Sequence, residues 1–203
     1  GGVFWVQFHK TLDRYNIFAA EQSVYDVAST LENDTTAPET TFTSGVSTDV
    51  VDKRVYVLEE YFKANNAPLE GTGELFVKAC DEYGAPVDCI SLVAIAKHET
   101  DLCKYHISHD MRNCLGWGGG GIYRVTFNSY EHMINTATDV LVNQYGTEYM
   151  DDPRLMETVF CGPQAECYGW GDRVLRIMRS IDDFSYELGV GRLTDLRDDG
   201  LRY

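Results

Sequence analysis

The stretch Ser91–Thr100, SLVAIAKHET, decides how this chain folds. With Ile90 before it, Leu92, Val93, Ala94, Ile95 and Ala96 leave no side of a helix polar, so the segment reads as a helix buried nearly all round. Polarity returns only at Lys97, His98 and Glu99. A carboxyl at that end meets partial desolvation and the negative end of the helix dipole, and both favour its protonated form. A general acid needs that form near neutral pH. Fourteen residues after Glu99, Asn113-Cys114-Leu115-Gly116-Trp117-Gly118 sets a Gly- and Trp-rich loop opposite the acid.

Working outward, the spacing of apolar residues supplies further helices. Val51, Val55, Leu58 and Phe62 share the face of one that opens the domain near Val50, and Pro68 ends the connection after it. Thr72 as N-cap and Gly84 as stop bracket a second, presenting Leu75, Phe76, Ala79 and Tyr83. Asp88 is placed to cap the buried helix. Asn128 and Glu131 have the spacing of a capping box, and Tyr130, Ile134, Ala137, Leu141 and Tyr145 give the helix they start a core face. Asp152-Pro153 begins a short helix, and Trp170, Val174, Ile177 and Ile181 mark the last one. Only Ile122–Phe127 alternates with period two. The expected fold is therefore mainly α, a helical domain over residues 50–182 with at most a small β-hairpin.

Two segments flank that domain. Residues 1–31 carry Trp5, Phe8, Leu12, Tyr15 and Ala19 at alternating spacings of three and four, a stripe that packs in cis or docks on another subunit. Residues 32–49 turn to Thr, Ser, Asp and Pro and read as an extended linker, with Asn33-Asp34-Thr35 matching a glycosylation sequon. Residues 183–203 form a Gly-, Asp- and Arg-rich tail without clear periodicity.

Composition narrows the function. The 203 residues suffice for one core plus appendages, and the net charge of −15 is spread along the whole length, which excludes a basic nucleic-acid-binding face. Val3–Phe8 is too short to span a bilayer, so an integral membrane protein is not expected from the residues present. Six cysteines fall in close pairs, Cys80 with Cys89, Cys103 with Cys114, and Cys161 with Cys167, and none forms a CxxC. Close spacing makes those pairs the simplest of fifteen disulfide connectivities and points to an extracytoplasmic, oxidising compartment. A start at Gly1-Gly2 fits removal of an export signal or an arbitrary boundary of the chain. His98, Cys103, His106, His109 and Asp110 are ligand types, but the zinc-protease motif would need histidine where Leu102 stands. We expect no metal and no cofactor.

The ordered set Glu99-Thr100, Asn113, Gly116-Trp117-Gly118 and Phe127-Asn128-Ser129-Tyr130-Glu131 resembles the lysozyme-like peptidoglycan-cleaving superfamily, in particular its β-N-acetylglucosaminidase and lytic-transglycosylase branches. The resemblance runs from Val50 to Asp182. It implies a lysozyme-like fold, peptidoglycan or a related glycan as substrate, and Glu99 as the catalytic acid. A histidine before the glutamate and four successive glycines, Gly118 to Gly121, depart from the pattern.

Cleaving a glycosidic bond needs a proton for the leaving oxygen and a group that stabilises or traps the sugar cation. For that second role Asp101 and Asp110 are the first candidates, with Glu131 behind them. Without a positioned second acid, the sugar's own 6-hydroxyl attacks and one glutamate serves as acid and then as base. Sugar faces are apolar with polar edges, so Trp117, Tyr123 and Asn113 are the expected binding residues. Tyr145 and Trp170 fit core positions equally well, and Tyr168 is a weaker candidate. The leading expectation is an exported glycan-strand-cleaving enzyme. Its rival is an extracellular structural or adhesive protein that assembles through residues 1–31 and the tail, using the lysozyme-like domain as scaffold.

Overall fold

The computed structural model describes residues 52–118, 124–160 and 168–199. Along them run α1 (Lys53–Ala64), α2 (Gly73–Tyr83), α3 (Ile90–Thr100), α4 (His106–Asp110), α5 (Tyr130–Val140) with a π-helical turn over Leu141–Tyr145, α6 (Thr147–Asp151), α7 (Pro153–Phe160), α8 (Trp170–Glu187) and α9 (Asp195–Asp199). The fold is mainly α, and no strand occurs among the described residues. The sequence allows at most a small hairpin over Ile122–Phe127, and residues 124–127 form no strand. There the Val125 amide donates to the Trp117 carbonyl at 3.0 Å and the Phe127 amide to Met111 at 2.9 Å, so isolated bonds to a loop replace a strand partner.

Helix α3 lies at the centre, as its composition demands. Ile90 through Ala96 are all buried, and α8 is its most extensive neighbour. The buried stripe of α8 runs through Trp170, Gly171, Val174, Met178, Ile181, Asp182 and Ser185. Met178 takes the core place expected of Ile177. Burying side chains of this size stabilises by roughly 1.5–3 kcal/mol each. Helix α8 also packs on α7 and α1, while α2 packs on α1 and α5.

Helix ends follow the local chemistry closely. Gly84 closes α2 in the left-handed region at φ 71°, where a side chain would be strained. The start of α5 corrects the expected capping box by one residue. Ser129, with extended φ/ψ, accepts the His132 amide at 3.0 Å, and Glu131 is exposed. Asp88 gives the Ile90 amide only a 3.4 Å contact, and its main partner is Arg197.

Two helices are capped from a distance by a glutamate. Glu59 on α1 accepts the amides of Gly71, at 2.7 Å, and Gly73 at the start of α2. Glu157 on α7 accepts those of Gly169, at 2.8 Å, and Gly171, at 3.0 Å, at the start of α8. In both cases the local N-cap cannot serve: Thr72 donates its hydroxyl to the Leu69 carbonyl instead, and Gly169 has no side chain. The pairs α1–α2 and α7–α8 thus share one device, a glutamate followed twelve and fourteen residues later by glycines that begin a helix.

The domain does not stop at residue 182. Helix α8 continues to Glu187, Leu193 is fully buried, and Asp182 accepts from the Thr194 amide (3.0 Å), the Thr194 hydroxyl (3.0 Å) and Arg192 (2.9 Å). Arg197 reaches the fully buried Asp88 and also Asp151. The tail shows no apolar period because polar links hold it. Burial alone would push the Asp182 carboxyl up, but the Thr194 and Arg192 bonds hold it below the ordinary aspartate range. Arg54 does the same for Asp52, and Lys97 then Lys104 for Asp101.

A carboxyl with a depressed folded pKa adds stability above its unfolded value, and that stability is lost as pH falls through the folded value. Asp88, pushed up by burial against the pull of Arg197, works in the opposite sense. Urea unfolding is therefore expected to show a lower midpoint at about pH 3 than at about pH 5, with Asp182→Asn narrowing the gap. A gap unchanged by that substitution would contradict the Asp182 assignment.

Disulfides join Cys80 to Cys89 and Cys103 to Cys114, two of the three expected pairs. They fit an oxidising, extracellular environment, and each closes a short loop for about 2–3 kcal/mol. Cys161, Cys167, the stripe of residues 1–31, the linker of residues 32–49 and Tyr123 lie outside the described residues. No helix among the described residues is long and apolar enough to cross a membrane.

Candidate functional site at the end of the buried helix

The chain leaves α3 through an abrupt turn. Asp101 (φ 52°), Leu102 (φ 60°) and Cys103 (φ 71°) are three successive non-glycine residues in the left-handed region. Each such residue costs on the order of 1–3 kcal/mol and persists only where surrounding structure holds it. Three things hold it here. Leu102 is fully buried, Cys103 is bonded to Cys114, and the Thr100 hydroxyl accepts the Cys103 amide at 2.9 Å while donating to the Cys114 carbonyl at 2.7 Å. Thr100 therefore staples the loop to the helix end, which gives the Glu99-Thr100 pair a physical meaning.

Glu99 is half-buried at this junction. The indole Nε1–H of Trp170, in the first turn of α8, donates to its Oε1 at 2.6 Å. On the other side stands Gly116. A Cβ at that position would lie 3.6 Å from Glu99 Oε2 and 3.9 Å from Glu99 Cβ, and the backbone there has φ 67°. Glycine answers the left-handed turn, while a Cβ there would meet Glu99 only at ordinary contact distance. The carboxyl is thus held by a hydrogen bond on one oxygen and faces the loop backbone with the other.

Asn113 sits inside that loop and is fully buried. Its Nδ2 donates to the carbonyls of Trp117 and Val125, both at 2.8 Å, and its Oδ1 accepts the Trp117 amide at 2.9 Å. With the amide committed in this way, Asn113 braces the loop and has no group left to offer a sugar. Trp117 is buried too, its ring tilted against Phe127 at 6.2 Å. Of the three expected binding residues, these two act on the loop in this conformation, and the loop's contact with Glu99 runs through Gly116.

The candidate second acids have other partners. Asp101 is ion-paired with Lys97 and, at 3.1 Å, with Lys104. Asp110 ends α4 with its side chain 73% exposed, 3.7 Å from His109. Glu131 is exposed on α5. The cysteine thiol in the histidine-rich segment is consumed by the Cys103–Cys114 bond. The one cluster of metal-ligand types among the described residues, Cys80, Asp81 and Cys89, contains a disulfide and so offers no thiolate.

The structure brings to Glu99 one residue weighed as core or cleft lining, Trp170, together with others that the sequence did not single out. Trp170 fits a core stripe, so its indole N–H gave no signal of its own. His98, next to Glu99, accepts from Arg173 Nε at 3.3 Å, and its ring lies 6.1 Å from that of Trp170. Arg173 Nη1 also donates to the Tyr168 carbonyl at 3.1 Å, and Tyr168 itself is 87% exposed. Glu157 and Gly171 set the start of α8 and hence the position of Trp170. The Gly-x-Gly before a helix, with a glutamate twelve residues upstream, is the pattern that would have revealed them.

No family model, curated protein or solved structure matches this chain.

Proposed function

We propose that the protein is an exported enzyme that cleaves glycan strands of the peptidoglycan type, with Glu99 as its acid and base. The observation that carries this reading is the mounting of one half-buried carboxyl between the Trp170 indole N–H and the Gly116 backbone, on a turn strained through Asp101, Leu102 and Cys103. Strain concentrated beside a single fixed acid is the arrangement expected where geometry must be kept for chemistry. The resemblance in the Glu99, Asn113 and Gly116-Trp117 pattern supports the substrate class. The two disulfides support export.

With Asp101 tied to two lysines and Asp110 standing in solvent, the single-acid mechanism is the better supported branch. In it Glu99 gives its proton to the glycosidic oxygen as the bond to C1 breaks. The muramoyl 6-hydroxyl then attacks C1 and returns its proton to Glu99. One glycosidic bond is broken and one internal C1–O6 glycosidic bond is formed, no water is consumed, and the acid is regenerated.

The products test this branch. Digestion of purified peptidoglycan is expected to give 1,6-anhydromuramoyl ends by mass spectrometry. Reducing N-acetylglucosamine ends alone would remove the transglycosylase branch and call for a second acid, with Asp110 and Asp101 the first to replace.

A further inference from the structure

We infer that Arg173 is the specificity-determining residue of this site, a cationic subsite that takes a carboxylate carried by the glycan next to the bond being cut. The inference rests on the glycan-cleaving reading of Glu99 and adds to it the kind of strand that is preferred. Four other arginines, Arg54, Arg154, Arg192 and Arg197, each hold at least one carboxylate of this strongly acidic chain. Arg112, Arg124, Arg173, Arg176 and Arg179 hold none among the described residues, and of these Arg173 is the one bonded to His98, the neighbour of Glu99. Its bonds go to two neutral acceptors, the His98 ring nitrogen and the Tyr168 carbonyl.

Those two bonds fix the guanidinium without neutralising it. They use Nε and Nη1 and leave Nη2, with its donors, without an acceptor among the described residues. Its position is specific. Arg173 follows Trp170 by three residues, about 4.5 Å along the helix axis, and Trp170 bonds Glu99 while His98 precedes it in sequence. A sugar whose glycosidic oxygen lies within hydrogen-bond reach of Glu99 therefore presents its ring substituents near this guanidinium. In an uncharged N-acetylglucosamine polymer those substituents are hydroxyls and acetamides. In muramic-acid strands one of them is a lactyl group, which ends in a carboxylate or continues into an acidic stem peptide. Planar arginine donors pair with carboxylates better than with any neutral group. Tyr168, exposed beside Arg173, adds an aromatic face to the same rim.

Binding separates this inference from the reading beneath it. The full-length Glu99→Gln protein, which should bind without cutting, is titrated with three ligands: N-acetylglucosamine oligomers, muramic-acid-bearing strands with free lactyl carboxylates, and strands with stem peptides. Adding Arg173→Gln is expected to lower affinity for the two charged ligands by roughly ten- to a hundred-fold and to leave the oligomers unchanged. A loss for the free-lactyl strands alone places the carboxylate on the lactyl group, a loss for the stem-peptide strands alone places it on the peptide, and a loss for both means that the guanidinium takes either one. Arg173→Lys keeps the charge and should recover part of the preference, with a salt dependence that the glutamine variant lacks. Equal affinity changes for all three ligands, or none, would overturn the Arg173 assignment while leaving the glycan reading standing. Failure of the Glu99→Gln protein to bind any of the three would overturn both.

Discussion

Replacing Glu99 by glutamine is expected to abolish glycan cleavage while the protein stays folded. The amide has nearly the same shape, and its carbonyl oxygen still accepts the Trp170 Nε1–H bond that positions the side chain. What disappears is the proton that must reach the leaving oxygen. General acid–base catalysis is typically worth a factor of roughly a hundred to ten thousand, and no second carboxylate among the described residues is held against Glu99 to substitute for it. A zymogram on peptidoglycan, read beside thermal melts of both proteins, decides the matter. Full activity in the variant would show that Glu99 is not the acid, and loss of activity together with loss of fold would show that its role is to hold the loop.

Much of the helical framework was legible because burial imposes a period. The unbroken apolar run from Ile90 to Ala96 had to be a central helix, and it is. Gly84 marked the end of α2 because a helix end has few chemical solutions, whereas Thr72 holds the N-cap position but the cap itself comes from Glu59. Legibility failed where the determining contact was polar and distant. Nothing near Arg197 predicts that it reaches the buried Asp88, and nothing local to Asp182 announces Thr194 and Arg192, so residues 183–199 read only as a tail without clear periodicity.

The site shows the same division. Glu99 could be read from the sequence because its helix dictates its surroundings. The environment of that acid could not, since it comes from α8, which lies some seventy residues downstream. Asn113 and Trp117 were visible as a motif, yet a motif does not say whether an amide faces a ligand or the interior of its own loop. Here it faces the interior.

Gly171→Ala is expected to be the most damaging small substitution in the α7–α8 pair, and Gly73 provides its control. A methyl group on Gly171 would lie 2.4 Å from Arg154 Cα and 2.8 Å from both Arg154 N and the Pro153 carbonyl oxygen. All three are backbone atoms, so the start of α7 and the start of α8 have to move apart. Overpacking of this kind usually costs about 1–3 kcal/mol, and rigid backbone on the receiving side places it near the upper end. The better helix propensity of alanine returns at most about 1 kcal/mol. At Gly73 the nearest atoms, 2.7–3.1 Å away, all belong to the Glu59 side chain, which can swing aside. The loss there is a remote cap worth roughly 1 kcal/mol, which the gain in propensity nearly offsets. Urea melts should therefore place Gly171→Ala well below Gly73→Ala. Because Gly171 follows Trp170, the same displacement drags the indole away from Glu99, so glycan cleavage should fall in Gly171→Ala even at temperatures where it remains folded, and persist in Gly73→Ala. Matching melts and matching activities would mean that the close approach of α7 to α8 does not position the acid.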